Sequence, residues 1–203
     1  MSEIDLIILD VDNTLVNWVD YHLPAFRTML DELEELTGIE RDELKRAFRD
    51  VHKEHGTSEY AFAIHELDIL KNGPEPLSPS EVQDQYGSVI KAYQEERQMR
   101  LKPYKGVEKT LNHLSNKGYK LVAYTDTLFY YAADRIRKLG IETYLDGLVV
   151  PEDHQFPDES DSAILTNRKH SPDEYDIPHI MLLKPGRSKP APEILYRSSV
   201  GDC

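Results

Sequence analysis

The chain carries a short, nearly unbroken apolar run near its start, Ile-Asp-Leu-Ile-Ile-Leu at residues 4–9. A run with so little alternation predicts a strand buried on both faces, which is typical of parallel sheets covered by helices. The run ends in the polar segment Asp10-Val11-Asp12-Asn13-Thr14, which predicts a turn at the carboxyl end of the strand. The fold must therefore be one that covers both faces of a sheet.

Residues 18–97 follow a different pattern, with apolar side chains at helical spacing. They predict four helices, the third of which runs through Tyr60–Leu67 and stops at Asn72-Gly73-Pro74. The fourth begins with Ser78-Pro79-Ser80-Glu81, a capping box with proline at the first helical position. This block predicts an all-helical region directly after the first strand.

After residue 101 the pattern alternates between the two periods. Short apolar strands are predicted at 119–124 and 147–150, and helices at 107–117 and 128–139, with Gly118 and Gly140 as stops. Strand and helix in alternation are the signature of a parallel α/β sheet.

We therefore predict an α/β fold, a Rossmann-like parallel sheet with an inserted all-helical cap domain. The α/β core takes residues 1–17 and 101–203, and the cap domain takes residues 18–100. Residues 151–188 are rich in Pro, Asp, Glu, Ser and His and fit neither period, so we expect an irregular insertion there.

Charge and composition exclude several classes of protein. The formal net charge is −13, which argues against a general nucleic-acid binder, since such a protein needs a basic face. One cysteine, Cys203, cannot form an internal disulfide, and no apolar run approaches the length of a membrane span. The first residues lack the basic and apolar regions of a signal peptide, so we expect a cytoplasmic protein.

Asp10 and Asp12 are the strongest candidates for chemistry. Ligands of open α/β sheets bind outside the carboxyl ends of the strands, and residues two apart in a turn can both face such a site. One carboxylate can attack an electrophile covalently, and the other can donate and later accept a proton. Together they also attract a hard cation such as Mg²⁺. The alternative is that both acids only stabilise the turn.

Two further candidates lie later in the chain. Thr125 and Asp126 follow the second strand, where a hydroxyl can bind a phosphate oxygen or simply cap the next helix. Lys189 precedes a Pro-Ala-Pro-Glu-Ile segment and could neutralise an anionic nucleophile and phosphate. Lys184, also followed by proline, is a rival for that role, and either lysine could instead be a solvated surface charge.

These segments together resemble the haloacid dehalogenase-like superfamily. Asp10-Val11-Asp12-Asn13-Thr14-Leu15, Leu121-Val122-Ala123-Tyr124-Thr125-Asp126 and Lys189-Pro190-Ala191-Pro192-Glu193-Ile194 look like its first three motifs, in the family's order. The helical block after the first motif resembles the family's C1-type cap.

The resemblance implies a role for each residue. Asp10 would be the nucleophile and a Mg²⁺ ligand, and Asp12 the general acid and base, with its main-chain carbonyl on the metal. Thr125, with Asp126, would bind the transferring phosphoryl group, and Lys189 would hold nucleophile and phosphate. With an aspartate at position 12, the first motif resembles that of phosphatases and phosphomutases.

We thus expect a magnesium-dependent phosphatase that acts on a small phosphorylated metabolite through an aspartyl-phosphate, with no nucleic-acid or membrane partner. A phosphosugar mutase and a non-catalytic binding protein on the same scaffold remain alternatives. The family's fourth, acidic motif is expected to be missing, because only seven residues separate Glu193 from Gly201. The chain therefore looks truncated at its carboxyl end, and Asp202 is a weak candidate for a further metal ligand.

Overall fold

The structure is a computed structural model that describes residues 5–71, 77–153, 171–184 and 189. Contacts divide these residues into two compact units. Residues 5–19, 101–153, 171–184 and 189 form the α/β unit, and residues 20–71 and 77–100 form the helical unit.

The α/β unit is built on a sheet of four parallel strands in the order β1-β2-β3-β4. The strands are β1 (Leu6–Leu9), β2 (Lys120–Tyr124), β3 (Gly147–Pro151) and β4 (His179–Leu183). Leu9 lies opposite Ala123 in the register of β1 and β2, so that Asp10 leaves the sheet beside the end of β2. The predicted parallel α/β architecture is confirmed.

Helices α5 (Val107–Asn116) and α6 (Phe129–Lys138) precede and follow β2. Gly118 and Gly140 come just after them with φ of +84° and +68°, a conformation that glycine adopts without the steric cost of a Cβ atom. Both predicted stops are thus confirmed. The buried side chains of the unit are mostly apolar and include Val11, Leu111, Leu121, Ala123, Phe129, Ala132, Ile136, Ile141, Leu148 and Val150.

Two predictions for the α/β unit were wrong. Residues 151–188 are not irregular throughout, because they contain a 3-10 turn at Pro172–Glu174 and the strand β4. The five residues of β4 follow a polar, proline-containing stretch and are only partly buried. The sequence therefore shows only a weak strand pattern there. The first strand is not buried on both faces either, since Ile8 is 37% exposed. β1 lies at one edge of the described sheet, where fewer neighbouring elements cover it.

The helical unit consists mainly of α1 (Trp18–Thr37), α2 (Arg41–His55), the short α3 (Ala63–Glu66) and α4 (Pro79–Arg100). α1 begins two residues before the boundary between the units. The third predicted helix is shorter than expected and is followed by a 3-10 turn at Asp68–Leu70; its predicted stop at residues 72–74 lies outside the described residues. No helix in the described part of the chain is long and apolar enough to cross a membrane.

The core of the helical unit follows from the amphipathic periods of its helices. Leu44, Phe48 and Val51 of α2 are buried, as their helical spacing predicts. The capping box of α4 is also present, because the Ser78 N–H donates to Glu81 Oε2 at 2.8 Å and the Glu81 N–H donates to Ser78 Oγ at 3.3 Å.

Candidate active site

β1 ends in a tight turn around the main-chain carbonyl of Val11. That carbonyl accepts the N–H of Leu15 at 2.8 Å. Asn13 closes the turn with a φ of 58°, a left-handed conformation that asparagine tolerates better than most residues. The turn places Asp10 and Asp12 in one short loop at the carboxyl end of the strand.

Asp10 lies in this loop with both carboxylate oxygens engaged. Oδ2 accepts the hydroxyl of Thr14 at 3.1 Å, and Oδ1 accepts the ammonium Nζ of Lys189 at 2.5 Å. The Asp10 side chain is nevertheless 45% exposed, so its carboxylate remains open to solvent and to a ligand. An exposed carboxylate oriented by a cation and a hydroxyl is suited to bind or attack an anionic substrate whose charge the lysine offsets.

Lys189 is itself positioned by two groups at the carboxyl end of β2. Its main-chain N–H donates to Asp126 Oδ1 at 2.8 Å, and its Nζ lies 5.0 Å from the centre of the Tyr124 ring. The second distance is within the range of a cation–π interaction. Asp126, predicted to help bind the substrate, thus contacts the lysine's main chain.

Asp12 is held by two donors, one on each oxygen. Thr127 Oγ1 donates to Oδ2 at 2.6 Å, and Arg135 Nη1 donates to Oδ1 and forms an ion pair with it. Arg135 projects from α6 and its side chain is only 2% exposed, whereas that of Asp12 is 19% exposed. The carboxylate of Asp12 is therefore much more constrained than that of Asp10.

Thr125 lies at the expected end of β2, but its side chain points into the structure. It is buried, and its Oγ1 accepts the N–H of Thr127 at 3.2 Å. Its own N–H donates to the carbonyl of Val149 on β3 at 3.2 Å. In this arrangement Thr125 shapes the turn that presents the hydroxyl of Thr127.

The structure also places the two lysines differently. Lys184 directly follows β4 and is exposed, whereas Lys189 contacts Asp10. Asp202, the weak candidate for a further metal ligand, lies outside the described residues, as do all the positions from 190 to 203.

Sequence reasoning missed Thr127 and Arg135. The signal for Arg135 was a charged side chain on the face of α6 that also carries Ala132 and Ile136, both fully buried. A charge on an apolar helix face is expensive unless it is paired, so it indicates a buried acidic partner. Thr127 gave no comparable signal, because a threonine in a turn is common.

The donors of the site suit Mg²⁺ better than a softer metal. Within the described stretches of the chain, no group of three or more His, Cys, Asp or Glu side chains could hold a metal ion. Magnesium, however, often takes only one or two protein carboxylates and completes its shell with water and substrate phosphate. The exposed carboxylate of Asp10 is a hard oxygen donor of this kind. The carboxylate of Asp12 is engaged by Arg135 and Thr127, which leaves its main-chain carbonyl as the ligand that the family resemblance implies.

The chain belongs to the haloacid dehalogenase-like hydrolase family, whose family model matches residues 7–175. The matched segment includes the Asp10 loop, β2, α6 and β3. A glyceraldehyde 3-phosphate phosphatase from Methanopyrus kandleri is 28% identical over 153 residues, which is 74% of this chain and 63% of that relative. This chain therefore spans less than two-thirds of the length of the curated relative it matches.

Several solved structures are similar to this chain at low identity. A proposed β-phosphoglucomutase from Thermotoga maritima is 20% identical with a TM-score of 0.49, covering 88% of this chain and 75% of that one. A proposed hydrolase from Bacillus subtilis, solved with bound magnesium, is 13% identical with a TM-score of 0.47, covering 90% and 80%. At TM-scores below 0.5 these structures carry no information on the substrate of this chain.

Proposed function

We propose that the chain is a magnesium-dependent phosphatase that hydrolyses a small phosphate monoester through an aspartyl-phosphate on Asp10. The observation that carries the proposal is the contact between Lys189 Nζ and Asp10 Oδ1 at 2.5 Å, at the carboxyl end of β1 and two residues before Asp12. An exposed carboxylate, a cation that can offset the phosphoryl charge and a second carboxylate thus lie together at the carboxyl ends of the strands, where parallel sheets bind ligands.

In the first step, a carboxylate oxygen of Asp10 forms a bond to phosphorus while the bond from phosphorus to the ester oxygen breaks. The protonated carboxyl of Asp12 gives its proton to the departing oxygen, which leaves as an alcohol. Lys189 holds the carboxylate of Asp10 and offsets the charge of the phosphoryl oxygens. Asp126 keeps the lysine in place through its main chain.

In the second step, water attacks the phosphorus of the aspartyl-phosphate. Asp12, now a carboxylate, takes a proton from that water, and the bond between phosphorus and the Asp10 oxygen breaks. Inorganic phosphate is released, and both aspartates return to their starting protonation states. A Mg²⁺ ion held by Asp10 and the main-chain carbonyl of Asp12 would supply positive charge at the transferring phosphoryl group when bound.

The substrate class follows from the family and from the curated relative rather than from the site itself. Glyceraldehyde 3-phosphate, the compound in the relative's name, belongs in the first panel of candidates. Other three-carbon and sugar phosphates and the aryl ester p-nitrophenyl phosphate complete that panel.

The test is phosphate release from this panel with and without Mg²⁺, for wild type, Asp10→Asn and Asp5→Asn. Asp5 is an exposed aspartate just before β1, so it offers the same substitution near the opposite end of the same strand. We expect wild type and Asp5→Asn to release phosphate only with Mg²⁺. Asp10→Asn should lose about a thousand-fold or more of kcat, since a carboxamide is a poor nucleophile.

Three results would contradict the proposal. Release that survives Asp10→Asn would remove the nucleophile from the mechanism. Phosphate that moves to another hydroxyl of the same sugar, without net release, would indicate the mutase. If the wild type released no phosphate from any ester of the panel, a binding protein on this scaffold would be favoured.

A further inference from the structure

We infer that Arg135 is a positioning residue, which fixes the orientation of the Asp12 side chain for the acid–base step. The inference rests on the proposed function, because it assigns a task within the acid–base step. It starts from a contact that the family roles do not include, the ion pair between Arg135 Nη1 and Asp12 Oδ1.

The two oxygens of Asp12 have different donors. A guanidinium carries donors only, and Arg135 Nη1 donates to Oδ1. The hydroxyl of Thr127 donates to the other oxygen, Oδ2. The two contacts together fix the orientation of the Asp12 carboxylate.

Burial makes this arrangement rigid. The Arg135 side chain is 2% exposed and comes from α6, beside the buried residues Ala132 and Ile136. Solvent does not compete for the guanidinium as it would at the surface, and the helix prevents it from following a rotation of Asp12. The carboxyl is then held in one orientation at the moment when proton transfer requires it.

The prediction concerns leaving groups rather than overall activity. An alkyl phosphate loses a poor leaving group that needs a proton from Asp12, whereas p-nitrophenyl phosphate loses a stable phenolate that does not. The quantity to compare is kcat/KM for these two esters, since it reports the steps up to departure of the leaving group. The alkyl ester is the one that wild type cleaves fastest in the panel.

We expect Arg135→Met to lower kcat/KM for the alkyl phosphate by about 10- to 100-fold, the usual range for partial loss of acid catalysis. For p-nitrophenyl phosphate the decrease should be less than about threefold. Arg135→Lys, which keeps the charge but loses the planar fork, should lie between the two. A purely structural role for Arg135 would instead lower both values by the same factor, and that result would overturn the inference.

Two further variants guard against misfolding and indirect effects. Arg137→Met removes another arginine of α6, whose guanidinium packs over the Tyr175 ring at 4.1 Å. It should leave unchanged the ratio of kcat/KM for the alkyl phosphate to kcat/KM for p-nitrophenyl phosphate. Thr127→Val removes the donor to Oδ2 from the turn before α6 and should lower the ratio in the same direction as Arg135→Met. If Arg135→Met does not fold, Arg135→Lys decides the question. An unchanged ratio in Arg135→Lys would then overturn the inference.

The Asp12→Asn background shows whether Arg135 acts through Asp12. Adding Arg135→Met to Asp12→Asn should not change the ratio again, and a further tenfold decrease would contradict the inference. Failure of the proposed function would give a different result, because the wild type itself would then release no phosphate from either ester. The inferred role of Arg135 would be overturned together with the proposed function. An active wild type whose ratio is unaffected by Arg135→Met overturns the inference alone.

Discussion

Each of the two units contains a carboxylate paired with an arginine, but the two pairs differ in which partner is more buried and in what surrounds them. In the helical unit Glu59 Oε1 accepts Arg97 Nη2 at 2.9 Å, and the Glu59 side chain is 7% exposed. In the α/β unit Asp12 pairs with Arg135, and here the arginine is the more deeply buried partner.

The pair in the helical unit is enclosed by aromatic rings. The guanidinium of Arg97 lies 5.5 Å from the centre of the Tyr21 ring and 5.3 Å from that of Tyr93. The Tyr21 hydroxyl also donates to Glu59 Oε1 at 3.4 Å. Such surroundings satisfy the charges and hold α1 and α4 together with the segment between α2 and α3.

The pair in the α/β unit lies beside an exposed carboxylate instead. Asp10, two residues from Asp12, is 45% exposed and contacts Lys189. The comparison teaches that a buried carboxylate–arginine pair does not by itself mark a site. What distinguishes Asp12 is its place at the carboxyl end of β1, next to a carboxylate that solvent can reach.

The largest effect that would sharpen this comparison is on stability in the helical unit. Arg97→Met removes the cation that pairs with the nearly buried Glu59, and we expect the free energy of unfolding to fall by about 3 kcal/mol. Urea denaturation followed by circular dichroism measures the change. Arg100→Met is the matched control on α4, because the Arg100 side chain is 49% exposed in its pair with Glu96, and its loss should cost less than about 0.5 kcal/mol.

The comparison would break if Arg97→Met and Arg100→Met were equally stable. A second variant, Glu59→Leu combined with Arg97→Met, removes both charges and should recover most of the lost stability. If the double variant were as unstable as the single one, the loss would come from packing of the Arg97 stem rather than from an unpaired charge.

Local patterns predicted most of the fold. The apolar runs of β2 and β3, the amphipathic period of α2 and the glycines after α5 and α6 each act within a few residues, and each is where the pattern places it. β4 was missed because its five residues are only partly buried and lie within a polar segment. The partial exposure of β1 was missed because burial depends on which elements cover a strand.

The candidate site was predictable only in part for a related reason. Asp10, Asp12 and Lys189 each belong to a motif, and parallel strands bring the ends of such motifs to one edge. The partners of Asp12 are distant in sequence, since Arg135 is 123 positions away. The pair of Glu59 and Arg97, 38 positions apart, was missed in the same way. Long-range pairing of single polar residues leaves no periodic signal.

A smaller effect is expected at the start of the helix that carries Arg97. Ser78→Ala removes the hydroxyl that accepts the Glu81 N–H, and we expect the free energy of unfolding to fall by about 1 kcal/mol. The same urea experiment measures it, with Ser78→Thr as the variant that keeps the cap. A loss as large as that of Arg97→Met would show that the cap of α4, and not the buried pair, dominates the stability of the helical unit.

The smallest effect concerns a third carboxylate, Asp146, which lies just before β3 at the amino ends of the strands, whereas Asp10 lies at a carboxyl end. Its Oδ1 accepts Lys120 Nζ at 2.7 Å and its Oδ2 accepts the Leu121 N–H at 3.0 Å. Partial burial acts to raise the pKa of Asp146, but these hydrogen bonds and the charge of Lys120 outweigh it and hold the pKa below its usual value. Like Glu59, this carboxylate is held for structure.

A lowered pKa in the folded state makes the contribution of Asp146 depend on pH in one direction. The stabilisation is present above the unfolded pKa of about 3.9 and is lost as the pH falls through the folded value. The difference in unfolding free energy between wild type and Asp146→Asn should therefore be constant from about pH 5 to 7 and shrink below about pH 4. Because the group is partly exposed, we expect only a few tenths of a kcal/mol. Lys120→Met should reduce the pH-dependent part, and a difference that grew in acid would reverse the assigned sign.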